Sequence, residues 1–168
     1  MSLMIRKATV ADSVEYEKLI SEVFLEDLDT LCPRTKDPTI LQVREWMSRH
    51  DGEDSVVLLA FRENELQGVL NISRFSRRNL SHSAGLGLNV RRHARGKGVG
   101  RRLLASAIDW YSRNDHIERL ELEVVDGNLA AQHLYRAFGF VIEGIKKSAV
   151  RKECGYFDLH LMALKKNL

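Results

Sequence analysis

The sequence predicts a mixed α/β (α+β) chain in which helices pack on a mixed sheet. Two observations lead there. Stretches in which apolar residues alternate with period two interleave with stretches in which they recur at three- and four-residue spacing, and glycine, proline and asparagine punctuate the boundaries. A chain of 168 residues, 44% hydrophobic and 29% charged, is long enough for one well-buried core and short for two. Residues 1–168 are therefore expected to form a single domain.

Taken in order, residues 4–8 read as a first strand. Val14, Leu19, Ile20, Val23 and Phe24 share one side of a helix that follows Thr9-Val10-Ala11-Asp12. Cys32-Pro33 and Asp37-Pro38 mark a loop, after which Thr39 is placed to cap a second helix carrying Ile40, Val43, Trp46 and Met47. Asp51-Gly52 ends it. Residues 55–61 and 66–75 make an antiparallel hairpin, turned by Arg62-Glu63-Asn64-Glu65, and a third strand follows near 84–90. Leu103, Leu104, Ala107, Ile108 and Tyr111 then lie on one side of a helix. Over 119–125, Leu120, Leu122 and Val124 alternate with Glu121 and Glu123, giving a strand with one apolar face. Asp126-Gly127-Asn128 turns it into the helix NLAAQHLYRAF, with Asn128 as N-cap and Gly139 suited to the left-handed position after its end. Residues 140–147 and 156–164 supply two last strands, so the order is β-α-α-β-β-β-α-β-α-β-β.

Charge bounds the function. The chain has 26 basic and 23 acidic residues, a net charge of +3. That balance argues against a general nucleic-acid binder and leaves room for a local basic site. Cys32 and Cys154 sit in no metal-type spacing and fit isolated thiols in a reducing compartment, so no metal is expected. The start MSLMIRKA has no long apolar run with a cleavage site, and nowhere do about 18 apolar residues run together, so a cytoplasmic protein without a membrane span is expected.

The positive charge gathers in RRHARGKGVGRRLL, residues 91–104, around Gly96, Gly98 and Gly100. Bare backbone at the start of a helix suits a phosphate, because N–H groups approach closely and the helix terminus carries partial positive charge. A Walker A loop needs Lys-Ser or Lys-Thr after its last glycine, where this chain has Arg101-Arg102. The G-x-G-x-x-G dinucleotide spacing is also absent. R-x-x-G-x-G between strand and helix is met by Arg95, Gly98 and Gly100, and cradles a diphosphate on successive N–H groups. A plain flexible turn with solvated arginines is the alternative reading of the same residues.

Downstream, Asn128-x-x-Ala131-x-x-x-Tyr135-x-x-x-Gly139-Phe140 follows the strand at 119–125. With both motifs in this order, the chain resembles the GNAT family of acetyl-CoA-dependent N-acetyltransferases from about residue 5 to 164, and its last hairpin, with Gly144, Gly155, Tyr156, Asp158 and Met162, is similar to that of bacterial small-molecule and amino-acid members. The resemblance implies a mostly antiparallel sheet with a V-shaped splay, helices on both faces and acetyl-CoA lying in the splay. It further implies that the backbone of Leu88, Asn89 and Val90 pairs with the pantetheine arm. The diphosphate would rest on Arg95, Gly96, Lys97, Gly98, Val99, Gly100 and Arg101, with Asn128 touching the cofactor arm. In this family an amine attacks the thioester directly through a tetrahedral intermediate, and a helix-borne tyrosine protonates the departing thiolate. Tyr135 matches that position. Without the resemblance, Tyr135 reads as a core aromatic beside Leu134 and Phe138, and Asn128 as a cap alone.

The general base stays open. The glutamate often found on the strand before the glycine loop is absent, since Ala84-Gly85-Leu86-Gly87-Leu88 carries no carboxylate; Glu123, Asp126, His82 or water remain. Arg74, Arg77 and Arg78 form a second basic cluster, suited to a carboxylate-bearing acceptor if they face the cleft. Tyr156, Asp158, His160 and Met162 share one face of the last strand, which lines the acceptor site unless Asp158 simply binds hairpin backbone. The leading expectation is acetylation of a primary amine on a small molecule, an amino acid or relative. The competing readings are a protein N-terminal or lysine acetyltransferase and a non-catalytic CoA-sensing or RNA-binding module. The absence of an aromatic strand platform argues against nucleic acid as a partner. Homodimers are common in the family, and no feature of this sequence fixes that state.

Overall fold

The two periodicities separate into sheet and helices in the computed structural model, which describes residues 2–26, 38–152 and 154–166. Cys32 lies outside these. The elements are β1 (Met4–Lys7), α1 (Ser13–Leu25), α2 (Ile40–Arg49), β2 (Ser55–Arg62), β3 (Glu65–Arg74), β4 (Ser83–Val90), α3 (Val99–Ser112), β5 (Arg119–Val125), α4 (Leu129–Ala137), β6 (Val141–Lys152) and β7 (Gly155–Lys165). One seven-stranded sheet has the order β1-β2-β3-β4-β5-β7-β6. Every pairing is antiparallel except β4 with β5.

Local chemistry sets the helix starts. Thr39 and Gln42 cap α2 reciprocally: the Gln42 N–H donates to Thr39 Oγ1 at 3.3 Å, and the Thr39 N–H donates to Gln42 Oε1 at 2.9 Å. Before α1, a short 3-10 turn spans Val10–Asp12, and Asp12 accepts the Thr9 N–H at 2.7 Å. Arg6 donates to the same carboxylate at 2.8 and 2.6 Å, which ties β1 to α1. That hydrogen bond from Arg6 is the main reason the Asp12 carboxyl is held down at about 2, below its ordinary 3.8.

Alternation decides which side chains meet which helices. Val57, Leu59 and Val69 pack with Tyr16, Leu19, Ile20, Val23, Val43 and Met47 of α1 and α2. On the other face Leu70, Ile72, Leu120 and Leu122 pack with Val99, Leu103, Leu104 and Ala107 of α3. Helices thus cover both faces, as the resemblance implies.

The last hairpin is longer than the patterning predicts. β6 runs to Lys152 instead of 147, and β7 begins at Gly155. Most of β6 beyond Gly144 is exposed at the sheet's edge, so it carries no apolar alternation to reveal it. Its register shifts between Lys146 and Val150, where Ser148 takes a positive φ of 51°. Asp158 accepts the Ser148 N–H at 2.9 Å and pairs with Lys147 at 2.6 Å. Of the two roles open to Asp158, the structure displays the hairpin bond.

Candidate active site

β4 and β5 start as neighbours and then part. Their pairing runs from Ser83↔Arg119 to Gly85↔Glu121. Beyond it β4 stays with β3 as far as Val90, and β5 stays with β7 as far as Val125. The facing edges of the two strands are left without a sheet partner, and the gap between them is the V.

Hydrogen bonds at both ends of β4 fix which backbone groups face this gap. Phe75 N–H donates to Ser83 O at 3.1 Å, and Arg91 N–H donates to Gln67 O at 2.9 Å, so the odd-numbered positions bond β3. The N–H and C=O groups of Leu86, Leu88 and Val90 therefore turn toward the opening. Among the three positions expected to pair with a pantetheine arm, Leu88 presents its backbone and Val90 its N–H to the gap, the Val90 carbonyl accepting from Arg95 Nε, whereas Asn89 is engaged by β3.

At the mouth of the V the chain enters α3 through the glycine loop. Gly96 and Gly98 have φ of 70° and 80°, and a Cβ at either would meet nothing within 4 Å, so backbone conformation and not crowding calls for glycine there. Gly100 serves differently: a Cβ there would lie 3.5 to 3.7 Å from Leu134, Leu88 and Val90, where α4 and β4 converge. Gly98 is the N-cap and supplies no side-chain cap. Arg102 N–H reaches Gly98 O at 3.1 Å. The first four N–H groups of α3, those of Gly98, Val99, Gly100 and Arg101, have no partner within the helix, and no side chain caps them. Such a row at a helix start is an anion cradle.

The arginines divide between bracing and display. Arg95 donates from Nε to Val90 O at 2.9 Å and pairs with Glu26 at 2.6 Å. Arg91 pairs with Glu22 at 3.2 Å and Glu65 at 3.0 Å. Both fasten the loop to α1 and the sheet. Lys97, Arg101 and Arg102 are exposed and form no ion pair among the described residues; Arg101 lies 5.4 Å from the centre of the Phe138 ring. They leave positive charge exposed around the start of α3.

α4 starts the other way. Asn128 Oδ1 accepts the Ala131 N–H at 3.1 Å, so the predicted cap is present. Tyr135 is buried, 6% exposed, with its ring 5.6 Å from that of Phe140. Burial pushes its phenol upward, so it stays protonated at neutral pH. Its hydroxyl makes no hydrogen bond among the described residues. A protonated, unengaged phenol is fit to donate a proton.

The candidate bases scatter. Glu123 lies on the α1/α2 face of β5, opposite the side chains of Leu122 and Val124, and pairs with Lys146 at 2.6 Å. Asp126 binds His160 Nε2 at 2.9 Å. His82 is exposed at the closed end of the V, where its carbonyl accepts from Glu118 and Arg119. Of the basic cluster, Arg74 is already committed: it donates to Asp54 and to the Ser81 carbonyl. Its even position also places it on the α3 face with Ile72. Arg77 and Arg78 are exposed in the β3–β4 connection.

One polar chain escapes sequence reading. On the α1/α2 face, Asn71 Nδ2 donates to Ser73 Oγ at 3.2 Å, and His50 links Ser73 Oγ at 2.7 Å to the Trp46 carbonyl at 2.7 Å. Its available signal was Asn71 and Ser73 at alternate positions, flanking Ile72 and following the apolar Val69 and Leu70.

Relatives carry the same architecture. The model of the acetyltransferase (GNAT) family matches residues 19–140. Over 106 residues the chain is 30% identical to the L-amino acid N-acetyltransferase AaaT of Escherichia coli (strain K12), covering 63% of this chain and 65% of that relative, less than two thirds of its length. The ribosomal-protein-alanine N-acetyltransferase from Brucella melitensis superposes with a TM-score of 0.85 at 27% identity, over 97% of this chain and 99% of its own. YncA from Salmonella typhimurium, solved with its cofactor acetyl-CoA, superposes at 0.87 with 21% identity over 98% and 94%, which shows a shared fold.

Proposed function

Because the chain belongs to the GNAT family of N-acetyltransferases, we propose that it moves the acetyl group of acetyl-CoA to the primary amine of a small molecule, an amino acid or relative. The observation that carries this reading is the uncapped start of α3 at the mouth of the V, where the N–H groups of Gly98, Val99, Gly100 and Arg101 have no intrahelical partner. A diphosphate there gains several aligned donors and the charges of Lys97, Arg101 and Arg102, while Arg95 braces the loop. The pantetheine arm then runs along β4, bonding the backbone of Leu88 and Val90, with Asn128 beside it at the start of α4.

With the thioester in the splay, a neutral amine adds to its carbonyl carbon. An N–C bond forms in the tetrahedral intermediate, whose collapse breaks the C–S bond. The amine proton passes to water or a nearby carboxylate, and Tyr135 gives its proton to the thiolate. The relative acting on L-amino acids supports the acceptor class.

The test is acetyl transfer to a panel pairing each amino acid with its decarboxylated amine, plus spermidine and a peptide N-terminus. Amino acids should be acetylated faster than their paired amines, and replacing Arg77 or Arg78 by alanine should raise their KM if either holds the carboxylate. A peptide that outperforms every free amino acid would replace this reading with protein acetylation.

A further inference from the structure

We propose that Asn71 is an acceptor-binding residue: its Oδ1, aimed by Ser73 and His50, receives the N–H of the incoming amine. This rests on the acetyl-transfer reading above and names the group that holds the nucleophile.

The placement comes from β3 and β4 together. Val69 packs in the α1/α2 core, so Asn71 and Ser73 face the same side two and four residues on. Asn71 pairs with Gly87, two residues past Gly85, the last residue of β4 bonded to β5. A Cβ at Gly87 would lie 2.7 Å from Asn71 Oδ1 and 3.6 Å from Nδ2. The amide thus lies over bare glycine with its oxygen foremost, filling the place that a β4 side chain would occupy beside the V.

The chain behind Asn71 fixes that orientation. A carbonyl only accepts, so the hydrogen on His50 points from Nδ1 to the Trp46 carbonyl. In the neutral ring Nε2 then accepts from the Ser73 hydroxyl, and Ser73 Oγ accepts from Asn71 Nδ2. Burial, the main cause, lowers the His50 pKa and favours that neutral ring. Oδ1 is left half-buried and makes no hydrogen bond among the described residues. An amide oxygen in that position is matched by an N–H donor, which a primary amine supplies. An amide oxygen is too weak a base to deprotonate an ammonium, so Asn71 orients the nitrogen and leaves proton removal to another group. Ser73 and His50 are positioning residues.

The experiment measures kcat and KM for the best acceptor of the panel, the KM of acetyl-CoA, and stabilisation by acetyl-CoA. Asn71→Leu preserves size and removes the oxygen; acceptor KM should rise on the order of tenfold or more while acetyl-CoA parameters stay within about twofold. Asn71→Asp retains an accepting oxygen and should keep acceptor KM within about threefold of the parent. His50→Phe keeps a ring against Trp46, whose centroid lies 4.1 Å from that of His50. It should raise acceptor KM less than Asn71→Leu and add nothing in the double variant. Unchanged acceptor kinetics in Asn71→Leu, an Asp variant as poor as Leu, or additive effects of the two sites would overturn the proposal while leaving acetyl transfer intact. A parent protein that binds acetyl-CoA and acetylates no amine would overturn the transfer reading and this one with it.

Discussion

The two strands that border the V each run into a helix, and the two helix starts are built oppositely. After β4, the turn into α3 has a glycine at the N-cap, positive φ at Gly96 and Gly98, and four first N–H groups that no side chain caps. After β5, the turn into α4 has Asn128 folded back onto the Ala131 N–H. Helix termini expose the same four donors wherever they occur; at α4 the Asn128 side chain meets one of them, whereas at α3 no side chain does, which leaves them for an anion. In the function proposed above, the open start takes the diphosphate of acetyl-CoA, and α4 contributes Tyr135 farther along.

If that division of labour holds, the largest effect lies in α4 away from its start. Tyr135→Phe keeps the ring against Phe140 and removes the proton donor; turnover should fall by roughly 10²–10⁴ with acetyl-CoA affinity nearly unchanged. Single-turnover kinetics check it, and unaltered chemistry would return Tyr135 to the core.

Next comes the open start itself. Acetyl-CoA at about 100 times its dissociation constant should stabilise the protein by roughly 2.7 kcal/mol. Gly98→Asp places a carboxylate at the cradle, much as Asn128 closes α4, and should abolish that stabilisation while the free protein stays folded. Thermal unfolding with and without acetyl-CoA decides it. At the closed start, Asn128→Ala should cost about 1 kcal/mol of stability through loss of the cap. Chemical denaturation measures this, and a cost below a few tenths would mean the cap bond contributes little.

The smallest effect concerns the 3-10 turn before α1, where the Asp12 carboxylate accepts from the Thr9 N–H and from Arg6. Its carboxyl is lowered from 3.8 to about 2, chiefly by the hydrogen bond from Arg6. A depressed folded-state pKa contributes stability that is full above the unfolded value and is lost as pH falls toward the folded one. Asp12→Asn should therefore shrink the fall in melting temperature between about pH 4 and pH 2. Some slope should survive, because Glu143, bonded by Arg119 and Lys165, is also lowered to about 2.

What could be read from sequence follows from how local each feature is. The caps at Thr39 and Asn128 involve partners three residues away, and the one-faced alternation of β5 is written in its own residues, so both were legible. The glycine motif located the open start for the same reason. The full extent of β6 was not legible, because an exposed edge strand needs no apolar face. Nor were the partners of the arginines. Arg95 meets Glu26 and Arg74 meets Asp54 only once the sheet and helices are assembled. The chain from Asn71 to His50 likewise joins residues of β3 and α2 that no spacing rule connects.

Amide hydrogen exchange with and without saturating acetyl-CoA, in the absence of any acceptor amine, tests the contrast between the two starts directly. Exchange at Gly98, Val99, Gly100 and Arg101 should slow markedly on binding, while Ala131, already bonded to Asn128, should change little. Loop amides that exchange equally fast with acetyl-CoA bound would contradict the assignment of α3's open start to the diphosphate.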